Sequence, residues 1–274
     1  MIYSSTDVAR ETGMTTEGLR FYEKNNIIRV NKNEKNGYRA YEIMQVPLLR
    51  MAKILNTYGI PLSEVSEFFG RDDGSLPKLG ESLEEKQVLL KREIWWKSRV
   101  LERLEHQTEL VRRACEEPRG VWFESLPSIA YLEYFGAGLL RRSKELQGIL
   151  EKWVALMPVV YPMPVLHEKD LNDPSAYCPA GFFCNAEDMG QLGLSSGRFV
   201  RVLPARQYLC CICPQDGSAR IDTELSLAPL RETSEKMNLR CIGDVFFMSF
   251  AVTSAADSTQ RLYYQVLMPV SPKV

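Results

Sequence analysis

The chain has 274 residues, 45% hydrophobic and 25% charged, a balance that suits one or two folded domains and excludes a disordered or fibrous chain. Net charge is −1, so the chain as a whole is no polybasic nucleic-acid binder and any basic surface must be local. MIYSSTDVARETG lacks an apolar signal core, and no stretch reaches the roughly 18 apolar residues of a membrane span. A cytoplasmic protein with no membrane partner is expected, its seven cysteines free thiols rather than a disulfide framework.

Residues 1–75 read as short capped helices. SSTDVARETG closes on Gly13 and TTEGLRFYEKN follows after a tight Gly-Met-Thr link, the outline of a helix-turn-helix. IIRVNKNEKNGYRAY then gives two extended pieces around Asn36-Gly37, a hairpin or wing. EIMQVPLLRMAKILNTYG and PLSEVSEFFG add two helices. Residues 1–60 hold nine Lys+Arg against six Asp+Glu, a local basic excess.

Residues 76–119 carry the longest helical pattern. Leu83, Leu90, Leu104 and Val111 share one heptad position, interrupted by Lys97, and Ile94, Leu101, Thr108 and Cys115 share its partner. A helix of about 40 residues spans roughly 60 Å, too long for one small domain to bury, so a coiled coil with a second copy is expected. The alternative is a solvated helix folded back on its own chain.

Residues 120–274 hold 17 of the 27 aromatics and read as strands. LPSIAYLEYF and LPARQYLCCI share Leu-Pro and Tyr-Leu at an offset of 77 residues. Each is followed by a helical stretch and then by extended stretches. The expected fold is a duplicated β-α-β-β unit forming one antiparallel sheet, with two helices on one face and a concave site on the other. The whole is α+β: a winged helix-turn-helix, a long coiled-coil helix and an antiparallel sheet domain.

SSTDVARETGMTTEGLRFYEKNNII followed by NGYRAY resembles the DNA-binding head of the MerR family of transcription regulators. The long helix fits that family's antiparallel dimerisation helix. The duplicated C-terminal unit resembles the GyrI-like effector domain of BmrR-like multidrug sensors. The resemblance implies a homodimeric activator that binds a pseudo-palindromic promoter with an over-long spacer and distorts it for RNA polymerase, a form of indirect readout. A small lipophilic effector, aromatic and in some cases cationic, would bias the equilibrium.

Carried over by position, Thr15, Thr16, Glu17, Arg20, Tyr22, Tyr38, Arg39, Tyr41 and Lys53 are the expected DNA contacts. Leu19 and Phe21 are assigned to the core, and for Tyr41 packing beneath the wing is the alternative. Glu17 departs from the family's usual Arg. A carboxylate there accepts from cytosine N4 or stays clear of the DNA.

Strand parity selects the effector-site candidates. Tyr131, Glu133 and Phe135 share one face, and Tyr263 and Gln265 another. Trp153, Phe182, Tyr208, Phe246 and Phe250 complete the set, with aromatic core as the alternative for each. BmrR-like domains place a buried carboxylate in the second half, where this chain has Gln265. Glu133 would then supply the charge for a lipophilic cation, and if it is a solvated edge residue, neutral or mixed ligands follow. In CCIC, Cys211 and Cys213 alternate with Cys210, which disfavours convergence on one metal ion. No metal, cofactor or catalytic residue is expected. The rival functions are a GyrI-like small-molecule hydrolase and a protein-binding module on a DNA-binding head.

Overall fold

The computed structural model describes residues 2–32, 37–69, 75–118, 120–134, 143–173, 175–216, 221–254 and 260–273. The chain divides into two compact units, Met1–Trp95 and Trp96–Val274.

In the first unit, helix α1 (Ser5–Thr12) starts on a reciprocal capping box: Ser4 Oγ accepts from the Asp7 N–H, and the Asp7 carboxylate accepts from the Ser4 N–H. It stops at Gly13, whose φ of 61° costs a residue without a side chain little. Helix α2 (Thr16–Lys24) is capped by Thr15, whose Oγ1 accepts from the Gly18 N–H at 2.9 Å. Strands β1 (Ile2–Tyr3), β2 (Asn31–Lys32) and β3 (Arg39–Glu42) form a sheet in the order β1-β3-β2. The wing hairpin pairs Lys32 with Arg39, and Asn36 of its turn lies outside the described residues. Two residues are too few to give β1 a period, so the sequence did not announce it.

Helices α3 (Gln45–Thr57) and α4 (Leu62–Phe68) complete the head. Val8, Leu19, Ile27, Ile28, Leu49, Leu55, Ile60 and Val65 form its core, with Leu79 and Leu83 packed against them. Each fully buried aliphatic contributes about 1.5–3 kcal/mol.

Helix α5 (Ser75–Glu116) runs for 42 residues and enters both units. Apart from Leu83, which packs on the head core, the apolar seam positions are open to solvent: Leu90, Ile94, Leu101 and Leu104 are each more than half exposed, and Val111 is 44% exposed. Leu110, one residue off that seam, is only 2% exposed and belongs to the core of the second unit.

That unit is built on strands β4 (Val121–Leu126), β5 (Ile129–Tyr134), β6 (Tyr161–Pro162), β7 (Val165–Leu166), β8 (Ala180–Asn185) and β9 (Val200–Leu203). Strands β10 (Arg206–Asp216), β11 (Leu239–Cys241), β12 (Val245–Ser254) and β13 (Gln260–Pro272) follow, with helices α6 (Lys144–Val154) and α7 (Thr223–Lys236) between them. Two antiparallel sheets result where one was expected. One runs β4-β10-β13-β12-β7 with β11 beside β13, the other β6-β8-β5-β9.

The stretch from Tyr161 to Leu166 joins them, because Tyr161 and Pro162 pair with β8 while Val165 and Leu166 pair with β12. Pro162 and Pro164 have no N–H to donate, so no single ladder continues through this segment. β8 lies between β6 and β5 just as β13 lies between β12 and β10.

Strand alternation then sorts the core. Ala130, Leu132, Phe182 and Cys184 pack with Leu146 and Trp153 of α6. Leu209, Cys211, Cys213, Val245, Phe247 and Val266 pack with Leu227 and Leu230 of α7. Tyr131, Phe183, Tyr208, Cys210, Phe246, Phe250 and Leu267 point the opposite way and pack with Leu110 of α5.

Candidate nucleic-acid interface and effector crevice

On α2, Thr16, Glu17, Arg20, Phe21 and Lys24 are exposed, and so is the cap Thr15. At about 100° per residue, Leu19 and Tyr22 share the buried face. This reverses two expectations. Phe21 is 57% exposed rather than core, and Tyr22 is 8% exposed and part of the core. Burial pushes the Tyr22 phenol above its ordinary pKa.

Tyr41 takes the packing alternative at 1% exposure, opposite Tyr3 in the small sheet. On the wing, Tyr38 is 74% exposed, and Arg39 Nε reaches Glu23 Oε2 at 3.1 Å, tying the wing to α2. Lys53 Nζ donates to the carbonyls of Thr12 and Gly13 at 3.1 and 2.9 Å. It therefore caps the C-terminus of α1.

In the second unit, seven of the ten effector-site candidates lie on the face opposite α6 and α7: Tyr131, Glu133, Tyr208, Phe246, Phe250, Tyr263 and Gln265. Trp153 and Phe182 lie instead in the core beneath α6, where Phe182 stacks on Tyr134. Phe135 falls outside the described residues. Tyr131 donates to the Met163 carbonyl at 2.9 Å. It is wedged so tightly over Gly181 that a Cβ there would sit 2.0 Å from its hydroxyl.

The middle of that face is not the open concavity expected, because α5 fills it. Leu110 inserts, the Gln107 amide donates to the Phe250 carbonyl at 2.7 Å, and the Arg103 guanidinium lies 4.6 Å from the Phe183 ring centre. Arg113 lies 4.7 Å over Trp122.

His106 Nε2 meets Glu124 Oε1 at 3.2 Å. The other Glu124 oxygen accepts from Trp122 Nε1 at 3.3 Å and from the Gln265 amide. Desolvation raises the Glu124 pKa, but these donors outweigh it and hold the carboxyl below its ordinary value. Glu124 is thus the carboxylate beside Gln265 that the sequence reading sought elsewhere. Its alternation with Trp122 in VWFESL was the available signal.

Glu133 is no solvated edge residue. Its two oxygens meet His167 Nε2 at 3.2 Å and Arg201 at 3.0 Å. Arg201 and His167 Nδ1 also reach Asp244 at 3.2 and 3.4 Å, and Arg201 covers the Tyr131 ring.

What stays open lies at the edge of the same face. A crevice of about 230 Å³ is lined by Arg206, Tyr208, Phe246, Pro269, Glu168 and Asp244, among others. A second of about 320 Å³ meets it at Glu168 and Asp244. Arg206 escaped the sequence reading, although it shares strand parity with Tyr208.

Residues 3–71 match the family model described as MerR HTH family regulatory protein. The HTH-type transcriptional regulator CueR of Yersinia pestis is 32% identical over 62 residues, 23% of this chain and 45% of that protein. The HTH-type transcriptional regulator YyaN of Bacillus subtilis, described as uncharacterized, is 26% identical over 117 residues, 43% of this chain and 83% of that one. The chain spans about half the length of the CueR relatives it matches. Among solved structures, the EcmrR–DNA complex in EcmrR-RPo overlays 99% of this chain and 100% of its own at 14% identity and a TM-score of 0.37. HiNmlR, a MerR family regulator lacking the sensor domain and bound to promoter DNA, overlays 42% of this chain and 89% of its own at 24% identity and a TM-score of 0.34. Below a TM-score of 0.5 neither overlay establishes a shared arrangement. The sequence matches are to MerR-type transcription regulators and not to enzymes.

Proposed function

We propose that this chain is an effector-responsive MerR-type transcription activator. It would bind a pseudo-palindromic promoter as a homodimer and distort an over-long spacer so that RNA polymerase can use it. The observation that carries the reading is the exposed face of α2, with Thr16, Glu17, Arg20, Phe21 and Lys24 presented together beside a wing tied on by Arg39. A helix-turn-helix presents such a face to the major groove while the wing follows phosphates.

Thr15, Thr16, Arg20, Tyr38 and Arg39 then serve the backbone. Glu17 and Phe21, one turn apart, face base edges, a carboxylate for cytosine N4 and an apolar ring for the thymine methyl. Tyr22 and Tyr41 support this surface from the core. Lys53 acts through its hold on the α1 C-terminus. The solvent-open seam of Leu90, Ile94, Leu101 and Leu104 supports self-association along α5.

The second unit is read as a GyrI-like effector domain. Its support is the matching strand order of the two β-α-β-β runs and the aromatic face that ends in an open crevice. Effector binding there would shift the regulator between two DNA-bound states through its differential affinity.

The test is selection of bound duplexes from a random pool, followed by salt titration of the winner. A two-fold symmetric site is expected. Arg39→Ala should lower the salt slope by about one per protomer and weaken all sequences alike. Recovery of no preferred duplex, or an unchanged slope, sinks the reading.

A further inference from the structure

The buried and half-buried carboxylates on the α5-facing side of the second unit already have partners from within the chain. Glu133 and Asp244 share Arg201 and His167. Glu124 is held by His106, Trp122 and Gln265, and Asp188 meets Arg99 at 3.0 Å. Three rings of the same region, those of Phe183, Trp122 and Tyr131, already carry a guanidinium. At Glu133, Asp244 and Asp188 a cationic ligand would therefore have to displace an arginine.

The open crevice has the opposite character. Arg206 forms its wall, half-buried, with Nη1 donating to the Ile242 carbonyl at 2.9 Å. No carboxylate pairs with it among the described residues. Beside it Tyr208 is 2% exposed, and its hydroxyl makes no hydrogen bond among the described residues. Burial raises its pKa, so it stays a neutral O–H donor. Phe246 and Pro269 supply an apolar wall. Of the two lining carboxylates, Asp244 pairs with Arg201, which it shares with Glu133. Glu168 is exposed at the rim, where water and salt screen it.

We infer that this crevice binds the carboxylate of a small aromatic acid, with the Arg206 guanidinium and the Tyr208 hydroxyl on the acid group and the ring against Phe246 and Pro269. Its volume of about 230 Å³ has room for a single aromatic ring. A guanidinium fork matches a carboxylate in geometry as well as charge. The inference rests on reading the second unit as the effector-binding part.

The experiment uses the full chain and ligand-observed NMR titrations with benzoate, phenylacetate and 4-hydroxybenzoate, against the amides and amines of the same rings. Saturable binding of at least one acid, absent or weaker for its amide and amine, is the expected result. Arg206→Gln should weaken that acid about 10- to 100-fold, and Arg206→Lys, which keeps the charge and loses the fork, less. Tyr208→Phe should weaken it by a smaller factor while circular dichroism stays unchanged. The idea is overturned if no acid binds, if the amine binds better than its acid, or if Arg206→Gln leaves acid affinity intact. DNA binding by the same preparations is read separately, so failure of the acid panel with retained operator binding rejects the ligand class and spares the regulator reading.

Discussion

Leu110 and Leu104 lie six residues apart on α5 and face different surroundings, so truncating each separates the two jobs of the helix. Leu110 is 2% exposed among Ile129, Tyr131, Phe183 and Phe250. Leu110→Ala removes buried carbon and leaves a cavity, which costs about 2–5 kcal/mol. Trp96–Val274 falls in the size class where each kcal/mol lowers Tm by about 2–4 °C, so a drop of roughly 5–20 °C is expected. Leu104 is 59% exposed, and its truncation should change the stability of the isolated fold by no more than about 0.5 kcal/mol.

If the seam joins two copies, Leu104→Ala lowers Tm only through dissociation, and that deficit grows as protein is diluted. The Leu110→Ala deficit should be the same at high and low concentration. Calorimetric melts at two concentrations, with sedimentation equilibrium alongside, make the comparison. If Leu110→Ala melts with the wild type, α5 does not close the face of the second unit and the reasoning fails.

On α2, Tyr22→Ala should destabilise the head by about 3–5 kcal/mol, as aromatic truncations in cores do. Phe21→Ala should leave the melt unchanged and weaken operator binding; the reverse pattern would refute the assignment of faces. Burial pushes the Cys184 and Cys211 thiols up to about 12, leaving almost no thiolate at pH 8. Iodoacetamide followed by mass mapping should therefore leave Cys184 and Cys211 unlabelled until the chain is denatured, and early labelling of Cys211 would contradict the packing. Glu124 has a depressed folded pKa, so its contribution to stability is present above its ordinary value of 4.5 and is lost as pH falls through the lower folded value. Glu124→Gln should accordingly flatten the acid limb of the stability profile below about pH 4.5, and an acid limb parallel to wild type would argue against this account.

Much of this molecule was legible in the sequence because it depends on local chemistry. Ser4, Gly13 and Thr15 cap and stop the first helices through their own backbone and side-chain groups. The wing follows from its turn residues, and alternation in IAYLEYF, QYLCCI and RLYYQVLM assigns each side chain to a face without knowledge of its neighbours. What local chemistry leaves open is which residues meet. Phe21 and Tyr22 are chemically alike and adjacent, and only the position of the head core relative to α2 decides which ring is buried.

The heptad pattern marks a side of α5 that is left largely open to solvent. It is silent about Leu110, Arg103 and His106, whose surroundings come from strands a short or long way along the chain. The pairing of Glu124 with His106 and Gln265, the sharing of Arg201 between Glu133 and Asp244, and the absence of a carboxylate partner for Arg206 among the described residues are likewise tertiary facts. A carboxylate or guanidinium in a sequence carries its charge, but whether that charge remains available to a ligand depends on the groups that folding brings within hydrogen-bonding distance.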